Sequence, residues 1–250
     1  MKEWTPAEIQ EYKQREAEHG RNFREDGPDW YDAKHGVRSY LQLVTVRAHL
    51  RLQRHHILLD VGSGLGRTAL AFAPHVKKVI AADISPHKIR LLKNTIERLS
   101  IANIEPVVVD ASETGRFENA VDRACSVEVL QHIPSHELRQ NALSNIRAAL
   151  RDGGRAVVVV YRWNPQRWPD KEGEHEDGRY RYAFDPQELD AMLRNAGFSQ
   201  VRVTGCNNFP PGVTRRYPQL TRRVAIADQW FSRTPISQKT GEFLLGVGIR

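Results

Sequence analysis

The chain has 250 residues, 40% hydrophobic and 27% charged, with 37 basic against 30 acidic side chains and a formal net charge of +7. That apolar share excludes a disordered tail, two cysteines (Cys125, Cys206) exclude a disulfide framework or zinc cluster, and the longest apolar run, Ala156 to Tyr161, is far too short to span a bilayer. A cytoplasmic α/β protein of one domain, without a membrane partner, is expected.

Taken in chain order, the N-terminal region 1–55 is polar and bears Phe23, Trp30 and Tyr31. It then turns into an amphipathic helix over Tyr40–Arg54, with Leu43, Val46 and Leu50 on one side. It reads as a helical lid, Trp30 and Tyr31 covering a ligand. From residue 56 onward short β-rich runs alternate with helical patterns, the mark of a parallel sheet with helices on both faces. Strands are predicted at His56–Val61, Lys78–Asp83, Glu105–Asp110, Asp122–Ser126 and Arg155–Tyr161.

Ser85-Pro86 starts one helix, with Ile89, Leu92, Ile96 and Leu99 on one face. Ser135 starts another, through Leu138, Ala142, Ile146 and Ala149 to a stop at Gly153-Gly154. Asp185, Pro186 and Glu188 form a capping-box-like start to a third that stops at Gly197. Val201–Thr204 and Glu242–Ile249 add an antiparallel edge. The domain thus divides into a lid (1–55), a core (56–204), an insertion (205–241) that shapes the substrate site, and a last strand (242–250).

The motif richest in chemistry is LLDVGSGLGR, with Asp60 ending a strand and Gly62, Gly64 and Gly66 in the following turn. Glycines there let the backbone approach a ligand closely and aim helix N-terminal amides at its polar end. The dinucleotide fingerprint requires its third glycine where Arg67 stands, and no Lys-Ser/Thr follows for a P-loop. Asp83 and Asp110 close the next two strands, so three aspartates are expected around one crevice at the carboxyl ends of the sheet. A carboxylate at the second strand suits ribose hydroxyls and one at the third an exocyclic amine; a turn or N-cap role suits either aspartate as well.

With LDVGSGLGR, AADISPHKI, VVVDASE, CSVEVLQHIP and LRDGGRAVVVV in that order, the sequence resembles the class I S-adenosylmethionine-dependent methyltransferases over about Leu41 to Gly197. The resemblance implies a Rossmann-like seven-stranded sheet, mostly parallel, with an antiparallel last strand. It implies S-adenosyl-L-methionine as cofactor: Asp60, Gly62, Gly64 and Gly66 holding its methionine part, Asp83 its ribose, Asp110 and Ala111 the adenine edge, and Ile84 the adenine face. Ser126 and Val127 would border the sulfonium and the acceptor.

His132, in EVLQHIP after the fourth strand, is by analogy the candidate general base; a bond to a neighbouring loop is the alternative. Glu128 and His132 invite a metal reading, but Gln131 stands where a third ligand would be needed, so no metal is expected. Acceptor choice falls to Trp30 and Tyr31, to Arg162 and Trp163 in the loop after the fifth strand, and to Arg215-Arg216, which with Arg222-Arg223 make a basic stripe.

Residues 199–250 hold eight basic side chains (Arg202, Arg215, Arg216, Arg222, Arg223, Arg233, Lys239, Arg250) against Asp228 and Glu242, so nearly all the excess charge is C-terminal. A small anionic or aromatic substrate fits that distribution; RNA is a second partner, and a non-catalytic cofactor-binding scaffold a third reading.

Overall fold

The computed structural model describes residues 4–18, 27–175, 178–209 and 216–250, with side chains throughout except 27–35, 114–116 and 218. Helix α1 (Pro6–Glu18) opens on a reciprocal cap: Glu8 N donates to Thr5 Oγ1 at 3.3 Å and Thr5 N to Glu8 Oε2 at 2.8 Å. Helix α2 (Gly27–Leu50) starts well before the expected Tyr40 and stops at Leu50, where Arg51 turns to a φ of 51°.

The core then alternates as the sequence predicts. Strands β1 (Ile57–Val61), β2 (Lys78–Asp83), β3 (Ile104–Val108), β4 (Val121–Val127) and β5 (Leu150–Tyr161) are joined through α3 (Arg67–Phe72), α4 (Pro86–Arg98) and α5 (His136–Ala149). A small hairpin, β6 (Glu172–Glu174) and β7 (Tyr180–Tyr182), precedes α6 (Pro186–Asn195) and β8 (Ser199–Cys206). Two helices, α7 (Thr221–Phe231) and α8 (Ser237–Thr240), lead into β9 (Phe243–Ile249).

The seven-stranded sheet has the order β3-β2-β1-β4-β5-β9-β8. The first five strands are parallel, and β9 lies antiparallel between β5 and β8. Successive residues of one strand serve opposite cores: Leu58, Val79, Val157 and Val159 pack toward Val46, Leu50, Phe72 and Leu92 of α2 to α4. Leu59, Ile80, Val158 and Val160 pack toward Leu143, Ile146 and Leu189 of α5 and α6. Both faces being covered explains why these strands read as unbroken apolar runs, each fully buried Leu or Ile contributing about 1.5–3 kcal/mol.

Several local expectations change. Strand β3 ends at Val108, so Asp110 lies in the turn beyond it. Helix α5 ends at Ala149, and Gly153-Gly154 instead fall inside β5, where the register against β4 slips between Val121 and Arg123. Asp185 is the N-cap of α6 without a side-chain cap bond: its carboxylate pairs with Lys171, and Glu188 accepts from Tyr182 Oη at 2.6 Å. The span 205–241 carries the end of β8 and both short helices. Among the described residues no helix is long and apolar enough to cross a membrane.

Candidate active site

A cavity of about 880 Å³ opens over the carboxyl ends of β1 to β5, at the large end of the range for small-molecule sites. Gly62, Gly64, Asp83, Ile84, Asp110, Ala111, Val127 and His132 all line it. Asp60, Gly66 and Ser126 do not: they sit beneath its floor. Asp60 is 1% exposed, accepts from Cys125 Sγ at 3.5 Å, and has its carboxyl pushed up to about 7 by burial, against the lowering influence of Cys125 and Arg67.

The glycine turn follows from close packing. A Cβ on Gly62 would drive into Val129 and one on Gly66 into Leu92 of α4, whereas one on Gly64 would point into open space. The amides of Gly62 and Ser63 donate to the Ala82 carbonyl at 2.7 and 2.9 Å. Gly64 N donates to Asp83 Oδ2 at 2.8 Å and Ser85 N to Asp83 Oδ1 at 2.9 Å, so the Asp83 carboxylate is held rigidly where β2 meets the cavity.

Asp110 accepts from Ser112 N at 2.8 Å and Ser112 Oγ at 2.9 Å, and pairs with Lys13 Nζ of α1 at 2.7 Å. Burial works against the Lys13 charge, but Asp110 and Glu113 outweigh it and hold the ammonium above its usual pKa. Helix α1 thereby closes one side of the cavity with Tyr12, Lys13 and Glu16. Burial raises the Glu16 carboxyl, although Tyr12, Lys88 and Arg179 pull it the other way.

Glu128, His132 and Tyr161 line a further stretch of the wall, with His175 and Arg179 from the β6–β7 connection. His132 Nδ1 lies 2.9 Å from the Tyr180 carbonyl; a carbonyl only accepts, so Nδ1 carries the proton and Nε2 bears the lone pair. Burial drives the His132 pKa down to about 3, with Arg179, His175 and Lys88 adding to it, so the ring is neutral at physiological pH. Its centroid is 6.0 Å from Tyr161 and 5.5 Å from His175. Burial and Glu128 raise the Tyr161 phenol to about 12. Arg139 secures this wall from below: fully buried, it donates to the Ile133 carbonyl at 2.8 Å and stacks its guanidinium 4.0 Å over Tyr182.

Glu128 holds a φ of 63° at the end of β4, outside the helical turn Leu130–His132, so it shares no helical face with His132. Arg67 bridges Glu128 at 3.4 Å to Ser39 Oγ of α2 at 3.1 Å. The residue that breaks the dinucleotide fingerprint therefore ties the glycine turn to α2.

The expected acceptor residues scatter. Arg162 donates to the Gly241 carbonyl at 2.5 Å and Trp163 Nε1 to the Trp168 carbonyl at 3.2 Å, both off the cavity wall. Arg216 is exposed, and the short turn Pro218–Leu220 separates it from α7, so it does not continue a helical stripe with Arg222-Arg223. Arg215, Phe23 and the side chains of Trp30 and Tyr31 lie outside the described residues. The loop after the fifth strand, expected to bear on acceptor choice, reaches the cavity through His175 and Arg179 rather than Arg162 and Trp163. The α1 residues went unmarked: only the Thr5–Glu8 cap announces α1, and nothing local says that it folds over Asp110.

The residues present suit S-adenosylmethionine. Ile84 and Val109 offer apolar walls beside two carboxylates, Asp83 and Asp110, a donor-accepting set of the kind a nucleoside requires. Ser63 Oγ, on the wall, has no hydrogen-bond partner among the described residues, and the acidic side chains suit a cationic sulfonium.

Comparison with known proteins agrees. Residues 33–203 match the family model described as a methyltransferase domain. Two curated relatives are a tRNA (guanine(37)-N(1))-methyltransferase Trm5b of Pyrococcus abyssi, 27% identical over 62% of this chain and 46% of its own, and a ubiquinone biosynthesis O-methyltransferase of Coxiella burnetii, 23% identical over 75% and 84%. The chain thus spans about half the length of the first and most of the second. Among solved structures, the Burkholderia thailandensis 1,6-didemethyltoxoflavin-N1-methyltransferase, crystallised with 1,6-didemethyltoxoflavin and S-adenosylhomocysteine, superposes with a TM-score of 0.63 at 20% identity, over 100% of this chain and 92% of that one. With a match over two thirds of its length and a strand order that puts the glycine turn, Asp83 and Asp110 around one cavity, the chain belongs to the methyltransferase domain family, with the class I S-adenosylmethionine-dependent fold.

Proposed function

We propose that the protein transfers the methyl group of S-adenosylmethionine to a small aromatic or anionic acceptor seated between Glu128, His132 and Tyr161. One observation carries the reading: a single cavity joins the Asp83–Asp110 walls to the His132–Tyr161 stretch, with room for cofactor and acceptor together. Asp83 would receive the ribose hydroxyls, Asp110 and Ala111 the adenine edge, Ile84 its face, and the Gly62–Gly64 turn the methionine part. Asp60 would support that turn from below.

The cofactor, when bound, supplies an electrophilic methyl. What remains for the protein is to align the acceptor and exclude water. Tyr161, His132 and His175 provide aromatic walls for a planar molecule. Arg38 and Arg179, both on the cavity wall, supply cationic charge for an anionic one. The His132 Nε2 lone pair is free at neutral pH to accept a hydrogen bond, and then the proton, from an acceptor hydroxyl or amine.

Incubation with methyl-labelled S-adenosylmethionine and cell extract, separated into small-molecule, RNA and protein fractions, tests the acceptor. Label is expected among small molecules. Label in RNA, the acceptor class of the Pyrococcus relative, would overturn that choice.

A further inference from the structure

The outward face of α7 is apolar and cationic at once. Along it Arg222, Ile226 and Trp230 stand four residues apart, one above another. Trp230 is 61% exposed, Ile226 45%, and Ile236, in the connection to α8, 60%. The Arg233 guanidinium lies 4.4 Å from the Trp230 ring centroid. Arg222 and Arg223 are exposed and make no ion pair among the described residues. The one carboxylate of this segment, Asp228, points inward, fully buried, and accepts from Thr45 Oγ1 at 3.3 Å, Asn207 N at 3.0 Å and Asn208 N at 2.6 Å.

Asp228 also fixes which face is presented. Thr45 meets Asp228 and His49 meets Ser232 at 3.2 Å, so α7 lies parallel to α2 and in step with it, turning the Ile226–Trp230 stripe outward. Ile226 and Trp230, exposed one helical turn apart and flanked by one sign of charge, with the exposed Ile236 five residues past the helix end, mark an interaction surface.

We infer that this face is a peripheral docking surface for an anionic lipid bilayer. Charge complementarity selects the occupant. A second copy of the chain would bring like charges together, and a single helix of 11 residues offers far less than the roughly 800 Å² per partner of a stable protein interface. RNA would use the arginines but gains little from Ile226 and Ile236, which present no stacking plane. A headgroup layer uses all of them: Ile226, Trp230 and Ile236 enter the acyl boundary while the arginines reach the phosphates. Among the described residues no helix is long and apolar enough to cross a membrane, which does not bear on lying against one. The inference stands apart from the proposed methyl transfer, because it uses no residue of the cavity.

Flotation with vesicles of pure phosphatidylcholine, and of phosphatidylcholine with about 30% phosphatidylglycerol, tests it. The protein is expected to float only with the anionic vesicles, with a blue-shifted tryptophan emission that Trp230→Phe abolishes. Arg222→Ala and Arg223→Ala should each weaken binding about fivefold. Ile226→Ser with Ile236→Ser should abolish the shift while leaving circular dichroism and S-adenosylmethionine affinity unchanged. No flotation, flotation indifferent to the isoleucine pair, or a single-stranded RNA that binds through Arg222 and Arg223 and displaces the vesicles would overturn it.

Discussion

Lys13 Nζ of α1 sits 2.7 Å from Asp110 Oδ2 beyond β3, joining the N-terminal helix to the cavity wall across nearly a hundred residues. The pair is partly exposed, so it adds less than about 1 kcal/mol to global stability; its effect is expected to be local, on the docking of α1 against the cavity wall. Lys13→Ala should leave the urea midpoint almost unchanged while raising trypsin cleavage within α1 and the off-rate of S-adenosylmethionine several-fold. Unaltered cleavage and off-rate would show that Trp4, Tyr12 and Tyr180, which meet edge to face, suffice to hold it.

Asp83 and its two backbone donors make the second prediction. Asp83→Ala strands the Gly64 and Ser85 amides, at a cost of about 1–3 kcal/mol. It should abolish calorimetric binding of S-adenosylmethionine, and the same affinity in the variant would remove Asp83 from the cofactor site.

His132 predicts a pH profile. Its pKa lies near 3, and that of His49 near 4 through burial and the neighbouring Arg202 and Arg233, against 6.5 for the free side chain. Between pH 6.5 and these values the unfolded chain binds protons that the folded chain refuses, so stability falls as the pH drops through that window. Urea midpoints at pH 7, 5.5 and 4.5 check the slope, which His132→Asn should flatten. His132→Ala should lower kcat about 100-fold if the ring takes the acceptor's proton.

Asp60 has the opposite sign. Its folded pKa of about 7 lies above its usual value of 3.8, so its contribution to stability is fully present below pH 3.8 and lost as the pH rises through 7. Asp60→Asn is therefore expected to raise the thermal midpoint at pH 8 more than at pH 5 while weakening cofactor binding. A lower midpoint at pH 8 would mean that the charged carboxylate supports the glycine turn.

Gly66→Ala should destabilise by about 2 kcal/mol, because the position has a φ of 89° and Leu92 fills the space its Cβ would need. Gly64→Ala meets no neighbour, so only its φ of 55° adds strain, and it should destabilise less than Gly66→Ala while weakening cofactor affinity more. Parallel calorimetry and denaturation of the two variants separate the roles.

The parallel strands and the capped starts of α4 and α5 were legible because each depends on neighbours within a few residues: period, caps and turn glycines are local physics. The expected trio of aspartates was not: Asp83 and Asp110 line the cavity, whereas Asp60 is buried off its wall. Local rules failed where another group, near or far along the chain, claimed the side chain. Asp185 and Glu188 resemble a capping box, yet Lys171 and Tyr182 claim their carboxylates. Arg162 and Trp163 resemble ligand contacts, yet backbone carbonyls hold both.

By itself, then, the amino-acid sequence determined an α/β sheet with a nucleoside-type crevice at its carboxyl end, since alternating buried runs and glycine turns admit few other arrangements. Tertiary structure alone decided that α1 covers Asp110, that Asp60 lies under the floor, that the Tyr180 carbonyl fixes the His132 proton, and that α7 turns its arginines and Trp230 outward. Those outcomes rest on contacts between residues 48 to 183 positions apart, and the free energy that selects them belongs to packing and desolvation, which no local window of sequence contains.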